Sequence, residues 1–331
     1  MQRTAIVGTG FYVPDRVVTN EELTRYMDTS DEWIVERSGI RERRWVEPGM
    51  SSADMAARAS RMALDEAGME VGDIDAIVLG TLSPDHFFPG TGVFLQRELG
   101  LEHVPALDIR AQCSGFVYGM SVADAWIRVG QYRTILLVGV EIQSTGIELS
   151  TRGRDMAVLF GDGAGAAILT ATEEEGRGVL STHIHADGRH AEVLWGEFSS
   201  SKHHPRLDAE ILAQGRHYPT MEGREVFKHA VTRMPEAVAE ALDANGLTTE
   251  DIDLLIPHQA NLRITQMVQR RLGLPDDKVV SNIERYGNTT AATIPIALAE
   301  AVREGRLSRG DLLCLVALGS GFTWGSALIR W

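Results

Sequence analysis

Short apolar runs alternate with amphipathic stretches along the chain, and this alternation predicts an α/β fold. Apolar positions that recur with the period of a helix predict helices between several of the runs. Such an order implies parallel or mixed sheets that are covered by helices. The predicted strands are Thr4–Gly8, Ala76–Leu79, Thr134–Val140, Ala157–Leu159, Leu254–Ile256 and Leu312–Leu318, and the clearest predicted helices are Ser52–Ala67, Ala230–Asn245 and Ile294–Glu304.

The two halves of the chain resemble each other. Ala63–Val78 matches Ala241–Ile256, and each predicts an amphipathic helix, a glycine cap, a short turn and a buried strand. Gln96–Leu101 then matches Gln269–Leu274, and a looser third match follows in the same order. Repeated matches in register indicate a duplicated α/β unit.

The boundary between the two units is predicted in a charged, glycine-bearing stretch, Ala171–Gly178. Residues 1–174 would form an N-terminal half and residues 175–331 a C-terminal half. The segment Glu192–Glu222 has no sustained period and is rich in loop residues. We interpret it as an elaboration of the second half, because long loops in compact domains are usually functional or mobile.

Composition is that of a globular protein and excludes some function classes. The 331 residues are 44% hydrophobic and 24% charged, and the formal net charge of −14 argues against nucleic acid as the main partner. The apolar runs are too short to span a membrane. The two cysteines lie in different contexts and indicate no disulfide framework, so a reducing cytoplasm is the expected location.

Cys113 is the first candidate for chemistry. It follows the extended run Val104–Arg110 and precedes an apolar helical pattern, so it lies where a strand leads into a helix N-terminus. The N–H groups and dipole at such an end are expected to favour thiolate over thiol. The alternative is a buried structural cysteine, which is the interpretation for Cys314 inside the apolar run Leu312–Leu318.

Two further polar residues occupy similar positions. His258 follows a buried strand that ends at Pro257, with a helix expected near Gln259, and Asn288 lies between a strand-like run and a small-residue helix. Alone, His258 would be a packing residue and Asn288 an ordinary helix cap. With Cys113 they form a set at strand ends, in which two donors facing a thiolate would polarise a thioester carbonyl and stabilise an enolate.

The motifs around these residues resemble the β-ketoacyl-acyl-carrier-protein synthase III family of the thiolase superfamily. The similarity covers nearly the whole chain. It implies a duplicated thiolase-like fold, five layers in the order αβαβα with two mixed sheets, and a homodimer. The matching motifs are Asp31–Ile34, Ser38–Arg43, Cys113–Phe116, Phe160–Gly165, Pro257–Arg263, Gly287–Thr289 and Gly321–Ser326.

The resemblance also implies a reaction. Cys113 would take an acyl group from acyl-CoA, and His258 and Asn288 would stabilise the enolate formed as malonyl-acyl-carrier protein loses CO2. Condensation would then give a 3-oxoacyl-carrier protein and initiate fatty acid or related biosynthesis. Backbone N–H groups of Cys113, Ser320 and Gly321 would form an oxyanion hole. The resemblance implies no metal and no redox cofactor, with acyl-CoA as a substrate.

Binding residues are implied by the same resemblance. Phe88 would reach the acyl pocket of the partner subunit, where a bulky ring favours short primers. Phe227 is either a wall of the pantetheine tunnel or an ordinary core ring. The implied CoA-binding residues are Thr29, Trp33, Arg37, Arg154, Gly223, Phe227 and Asn261, and the implied carrier-protein contacts are Arg224, Lys228 and Arg263.

Two rival functions remain open from the sequence. One is an acyltransferase of the same fold that passes the acyl group to a hydroxyl or amine without decarboxylation. The other is a silent partner that lends only a dimer interface, although Cys113 is present. Ser320 stands where the family often has Gly, and the segment 192–222 appears longer than usual, which leaves the identity of the primer open.

Overall fold

The computed structural model describes residues 2–331. Strands alternate with helices through most of this range, as the apolar pattern predicts. The strands are β1 (Arg3–Tyr12), β2 (Val17–Thr19), β3 (Glu42–Arg44), β4 (Ala76–Gly80), β5 (Ala106–Ile109), β6 (Thr134–Glu141), β7 (Gly163–Thr172), β8 (Gly178–Ala186), β9 (Leu194–Trp195), β10 (Thr220–Met221), β11 (Leu254–Pro257), β12 (Leu312–Gly319) and β13 (Thr323–Arg330).

The helices differ widely in length, and single 3₁₀ turns fill several connections. The turns that matter for the site are Gln112–Ser114 and Thr290–Ala292. The α-helices are α1 (Asn20–Leu23), α2 (Asp31–Ser38), α3 (Ser52–Ala67), α4 (Thr91–Leu99), α5 (Gly115–Arg128), α6 (Arg154–Ala157), α7 (Ala209–Gln214), α8 (Gly223–Ala244), α9 (Leu262–Leu272), α10 (Ile283–Tyr286) and α11 (Thr293–Arg303).

Two mixed sheets form the frame. The first has the order β1-β7-β6-β4-β5, with β4 parallel to β5 and β6 and with β7 antiparallel to both of its neighbours. The second has the order β11-β12-β13-β8, in which only the β11–β12 pair is parallel. Every residue of β6 and β12 is buried, as expected for strands that are covered on both faces.

Helices α5 and α11 lie between the two sheets. Their buried residues Phe116, Met120, Ile294 and Leu298 share one apolar core with residues from both sheets. Helices α3 and α4 cover the outer face of the first sheet, and α8 and α9 cover the outer face of the second. The five-layer αβαβα arrangement of the prediction is therefore confirmed.

Helix ends follow local capping chemistry. The Ser51 side chain accepts from the backbone N–H of Asp54, while the Asp54 carboxylate accepts from the N–H of Ser51, and α3 ends at Gly68 with φ +64°. The predicted helix at Ser52–Ala67 is confirmed at both ends. Helix α8 begins at Gly223, earlier than predicted, because its first two turns contain no buried residue and show no apolar period.

Several sequence predictions were wrong in detail. Ala157–Leu159 does not form a strand, because α6 ends at Ala157. A short apolar run occurs in buried strands and in buried helices alike, so it cannot distinguish the two. The run before Asn288 is the short helix α10. The helix after His258 begins at Leu262 and not near Gln259, because Asn261 caps it through the N–H of Arg263.

The segment 192–222 is only partly irregular. It contains α7 and the two-stranded pair β9–β10. These elements were not predicted, because the segment has no sustained hydrophobic period. Asp208 caps α7 by accepting from the N–H of Ile211 at 2.8 Å. Among residues 2–331, no helix is both long and apolar enough to cross a bilayer.

Candidate active site

Cys113 lies in the tight turn between β5 and α5, as predicted. Its neighbour Gln112 has φ +44°, a left-handed conformation that few non-glycine residues adopt. The Ser114 hydroxyl lies 2.7 Å from the carbonyl of Ala111 and 2.8 Å from the hydroxyl of Thr323. These contacts fix the turn to the start of β13, and Cys113 remains 7% exposed.

The thiol of Cys113 is protonated at rest. Burial raises its pKa to about 12, and the nearby carboxylate of Glu141 adds to the rise, while a backbone N–H lowers the pKa only in part. The prediction that the helix N-terminus favours thiolate is therefore wrong for the resting site. Desolvation of the charge outweighs the backbone donors there.

The end of β12 packs directly against the turn of Cys113. A Cβ atom on Gly319 would lie 2.8 Å from the backbone N of Cys113, so no side chain fits there. Ser320 and Gly321 follow, and Gly321 has φ +130°, which favours glycine. The segments predicted to form the oxyanion hole are thus neighbours in space.

His258 is buried at the end of β11. Its backbone N–H donates to the carbonyl of Val316 at 2.8 Å, and its side chain is 2% exposed. The Nδ1 atom lies 2.7 Å from the hydroxyl of Thr293, the first residue of α11. Burial lowers the pKa of His258 to about 3, so the imidazole is neutral at physiological pH.

Asn288 is held by both its backbone and its side chain. Its N–H donates to the carbonyl of Leu159 at 2.8 Å, and its carbonyl accepts from the N–H of Gly161 at 3.1 Å. Its Oδ1 accepts from the N–H of Thr290 at 2.8 Å. This bond spans two residues ahead of the 3₁₀ turn, whose N-cap is Thr289, so the alternative prediction of Asn288 as a helix N-cap is wrong. The bond leaves the amide Nδ2 group as the free end of the side chain.

The turns of Cys113 and Asn288 meet in the core. The 3₁₀ turns Gln112–Ser114 and Thr290–Ala292 contact each other, and a Cβ on Gly115 would lie 3.4 Å from the Cβ of Ala291. Within residues 2–331, neither Nδ2 of Asn288 nor Nε2 of His258 has a hydrogen-bond partner. Asn288 and His258 are 5% and 2% exposed, and these two atoms retain donor or acceptor capacity for a ligand.

Two buried polar residues near the site were not predicted from the sequence. Thr293 contacts His258, as described above. Glu141 ends β6 and accepts hydrogen bonds from Leu82 and Ser83, and burial raises its pKa to about 7. Glu141 could have been predicted from its position, because an acidic residue directly follows the predicted apolar strand. No feature of the sequence indicates that Thr293 contacts His258.

A cleft of about 830 Å³ contains most of the predicted CoA-binding residues. Trp33, Arg37, Arg154, Gly223, Phe227 and Asn261 all line it, together with Arg224 and Arg263. Thr29 is not on its wall, and its hydroxyl is buried with no hydrogen-bond partner among residues 2–331. Met221 of β10 lines the same cleft, so the segment 192–222 contributes to it.

Cationic groups surround the indole in this cleft. The guanidinium carbons of Arg154 and Arg37 lie 4.3 and 4.4 Å from the ring centroid of Trp33. Nη1 of Arg154 also donates to the carbonyl of Asp28 at 2.7 Å. Asn261 Nδ2 donates to the carbonyl of Arg37 at 2.8 Å, which ties the start of α9 to α2.

Two other predicted binding residues lie outside this cleft. Lys228 is exposed on α8 and lies 3.5 Å from the carboxylate of Glu225. Phe88 is 80% exposed and Phe87 65% exposed. Arg206, from the segment 192–222, places its guanidinium carbon 5.0 Å from the ring centroid of Phe87.

Comparisons with known proteins agree with this architecture. The family model described as 3-Oxoacyl-[acyl-carrier-protein (ACP)] synthase III matches residues 107–188, and the model of its C-terminal region matches residues 242–331. The two matched ranges contain Cys113, His258 and Asn288.

Relatives align with the chain over its full length. The chain is 49% identical to a beta-ketoacyl-[acyl-carrier-protein] synthase III from Acidiphilium cryptum over 100% of both chains, and 48% identical to one from Rhodospirillum centenum over 99% of both. A crystal structure of 3-oxoacyl-[acyl-carrier-protein] synthase III from Aquifex aeolicus superimposes with a TM-score of 0.91 at 41% identity, covering 99% of this chain and 100% of that one. The chain belongs to the 3-oxoacyl-[acyl-carrier-protein] synthase III family.

Proposed function

We propose that this protein condenses an acyl-CoA primer with malonyl-acyl-carrier protein to give a 3-oxoacyl-carrier protein, and so initiates fatty acid biosynthesis. One observation carries the proposal: a buried thiol lies in a turn that packs against the turn of Asn288, and the oxygen of that amide is already occupied by Thr290. An amide whose acceptor is occupied offers an N–H donor to a developing enolate oxygen.

The first stage is transacylation. Sγ of Cys113 attacks the thioester carbonyl, the bond to the CoA sulfur breaks, and CoA leaves as a thiol with the proton that Cys113 gives up. The backbone N–H groups of Cys113, Ser320 and Gly321 act as the oxyanion hole. The tight approach of Gly319 to Cys113 supports this role, since it brings the two backbone segments together.

The second stage is decarboxylative condensation. The malonyl thioester loses CO2, and His258 and Asn288 donate to the enolate oxygen through Nε2 and Nδ2. The enolate carbon then attacks the acyl carbonyl on Cys113, the carbon–sulfur bond breaks, and the released thiolate takes up a proton from solvent water. Because the low pKa of His258 keeps it neutral, it acts as a hydrogen-bond donor and not as a charged acid.

Binding of CoA is assigned to the 830 Å³ cleft. Trp33 and Arg154 flank the adenine, and the residues that follow the nucleotide and pantetheine are Arg37, Gly223, Phe227 and Asn261, together with Thr29. Stacking a base between an indole and a guanidinium is favourable. Arg224 and Arg263 at the cleft and Lys228 beside it would contact the carrier protein, where a local basic patch offsets the net charge of −14.

Quaternary structure and location are part of the same proposal. We assign a homodimer in which Phe88 reaches the partner's acyl pocket, which would cover a ring that is 80% exposed in the single chain. Residues 1–174 and 175–331 act as two thiolase-like halves, one carrying the nucleophile and the other His258 and Asn288. Two free, buried cysteines are compatible with the cytoplasm.

Mass spectrometry after mixing with short acyl-CoAs tests the first stage. The expected result is one acyl adduct on Cys113, lost in Cys113→Ala while the fold is retained; absence of any adduct in the native protein would support the silent-partner alternative. For the second stage, labelled malonyl-carrier protein should release CO2. Transfer of the acyl group to a hydroxyl or amine without CO2 would support the acyltransferase alternative, which the comparisons do not favour.

His258→Ala separates the two stages. The acyl adduct should still form on Cys113, because the oxyanion hole is intact, but condensation should fail. Normal CO2 release from this variant would refute the role of His258.

A further inference from the structure

The segment Thr290–Thr293 contacts the side chains of both proposed donors, Asn288 and His258. The N–H of Thr290 donates to Oδ1 of Asn288 at 2.8 Å, and three residues later the hydroxyl of Thr293 lies 2.7 Å from Nδ1 of His258. Thr290 has φ +51°, an unfavourable conformation for a β-branched residue. Nε2 of Gln143 holds it in place by donating to its hydroxyl at 2.9 Å.

The hydroxyl proton of Thr293 has two acceptors within reach. One is Nδ1 of His258 at 2.7 Å, and the other is the carbonyl of Thr290 at 3.0 Å. The hydroxyl has one proton to donate, and Nδ1 of His258 is the nearer of its two acceptors.

The backbone supports the same assignment. The carbonyl of Thr290 already accepts a hydrogen bond from the N–H of Thr293, so it does not need the hydroxyl. The imidazole is neutral and carries one ring proton, so an Nδ1 atom that accepts leaves the proton on Nε2.

We propose that Thr293 is a positioning residue that donates to Nδ1 of His258 and thereby holds the ring proton on Nε2. This inference rests on the proposed function, because the proton on Nε2 matters for a developing enolate. The proposal also excludes His258 as the base that removes the proton of Cys113, because a protonated Nε2 has no free lone pair. The segment Thr290–Thr293 thus makes donors of both side chains.

Nitrogen-15 NMR of histidine in the native protein at pH 7 tests the tautomer without any substrate. The expected spectrum shows His258, assigned by its loss in His258→Ala, with a protonated Nε2 and an unprotonated Nδ1. A protonated Nδ1 would overturn the proposal. Failure of the native protein to acylate or to release CO2 would instead refute the proposed function and would leave this spectrum unchanged.

Thr293→Val and Thr293→Ser test the consequence for turnover. Removing the hydrogen-bond partner that orients a metal-ligating histidine typically costs about ten- to a hundredfold in activity, and we expect a similar factor for a partner of His258. We expect that loss in the kcat of condensation for Thr293→Val, with the rate of acyl-adduct formation and the KM for acyl-CoA unchanged. Thr293→Ser should recover most of the loss because it retains the hydroxyl.

Thr265→Val is the matched control, because Thr265 is a buried helical threonine whose hydroxyl has no partner within the described chain. It should change neither stage. Equal losses of both stages in Thr293→Val, or a condensation rate as high as that of the native protein, would contradict the positioning role. If Thr293→Val fails to fold, the nitrogen-15 spectrum of the native protein and the kinetics of Thr293→Ser still test whether Thr293 positions His258.

Discussion

Arg154 lies over the indole of Trp33, with its guanidinium carbon 4.3 Å from the ring centroid. Contacts between stacked planes are about 3.5–4.0 Å, so an adenine ring fits between these two groups only after the guanidinium has moved away by about the thickness of a ring. The hydrogen bond from Arg154 to the carbonyl of Asp28 holds it in the closed position. The proposed adenine site therefore requires that this guanidinium–indole contact opens when the nucleotide binds.

Trp33→Ala should weaken acyl-CoA binding. Base stacking on an aromatic side chain is worth about 1–3 kcal/mol, so the KM for acyl-CoA should rise about tenfold or more, with a small change in kcat. Steady-state kinetics at several acyl-CoA concentrations measure this. Arg58→Ala is the control, since Arg58 stacks on Tyr12 at 4.6 Å away from the cleft; an equal rise in KM there would refute the assignment.

The reactivity of Cys113 should depend steeply on pH. A pKa raised to about 12 keeps the thiol protonated, so the rate of alkylation by iodoacetamide should rise about tenfold per pH unit from pH 7 to 10, in proportion to the thiolate. Measured rates that level off below pH 9 would contradict this. Cys113→Ala gives the background from Cys314, which is fully buried.

Glu141→Gln should raise that reactivity. The pKa of Glu141 is about 7, so its negative charge is present above neutral pH, and this charge is a cause of the high pKa of Cys113. Removing the charge lowers the pKa of the thiol, so alkylation at pH 8–9 should become faster than in the native protein. An unchanged or slower rate in a folded variant would show that burial alone sets the pKa of Cys113.

Gly319→Ala should damage the site. Its Cβ would lie 2.8 Å from the backbone N of Cys113, so the oxyanion segment and the turn of the nucleophile must separate. We expect kcat to fall at least about tenfold and the free energy of unfolding to fall by about 1–3 kcal/mol. Gly72→Ala is the control, because a Cβ there meets nothing within 4 Å. Full activity in Gly319→Ala would contradict the close packing.

Arg43 should be a determinant of stability and not of chemistry. Its side chain is fully buried and donates to the carbonyls of Val18 and Val158 and to Oδ1 of Asn20. Arg43→Met would leave these acceptors unpaired, and unpaired buried groups cost about 1–3 kcal/mol each. Urea unfolding should show a loss of about 3 kcal/mol or more, against a negligible loss for Arg97→Met, whose side chain is 70% exposed.

The sequence predicted the frame better than the environment of the site. Capping and periodicity defined Ser52–Ala67 because both signals are local. The helix preceding Asn288 was missed because four residues carry no period. The position of Thr293 beside His258 depends on how α11 packs against β11, and no spacing along the chain encodes that distance.

Protonation states were the least predictable feature. The position of Cys113 before a helix is local and favours thiolate, whereas its burial and the charge of Glu141 come from the assembled core and reverse the outcome. The resemblance implied a set of CoA-binding residues, and all of them except Thr29 line one cleft. Tertiary packing therefore decided the chemistry at each of these positions.

The backbone of Asn288 belongs to the second half of the chain, yet its two hydrogen bonds go to Leu159 and Gly161 in the first. In the two halves that we propose, the first therefore supplies the backbone partners that hold the amide carried by the second. A chain cut in the connector after Thr172 would regain chemistry only when both fragments reassemble. Neither half is a smaller version of the whole enzyme.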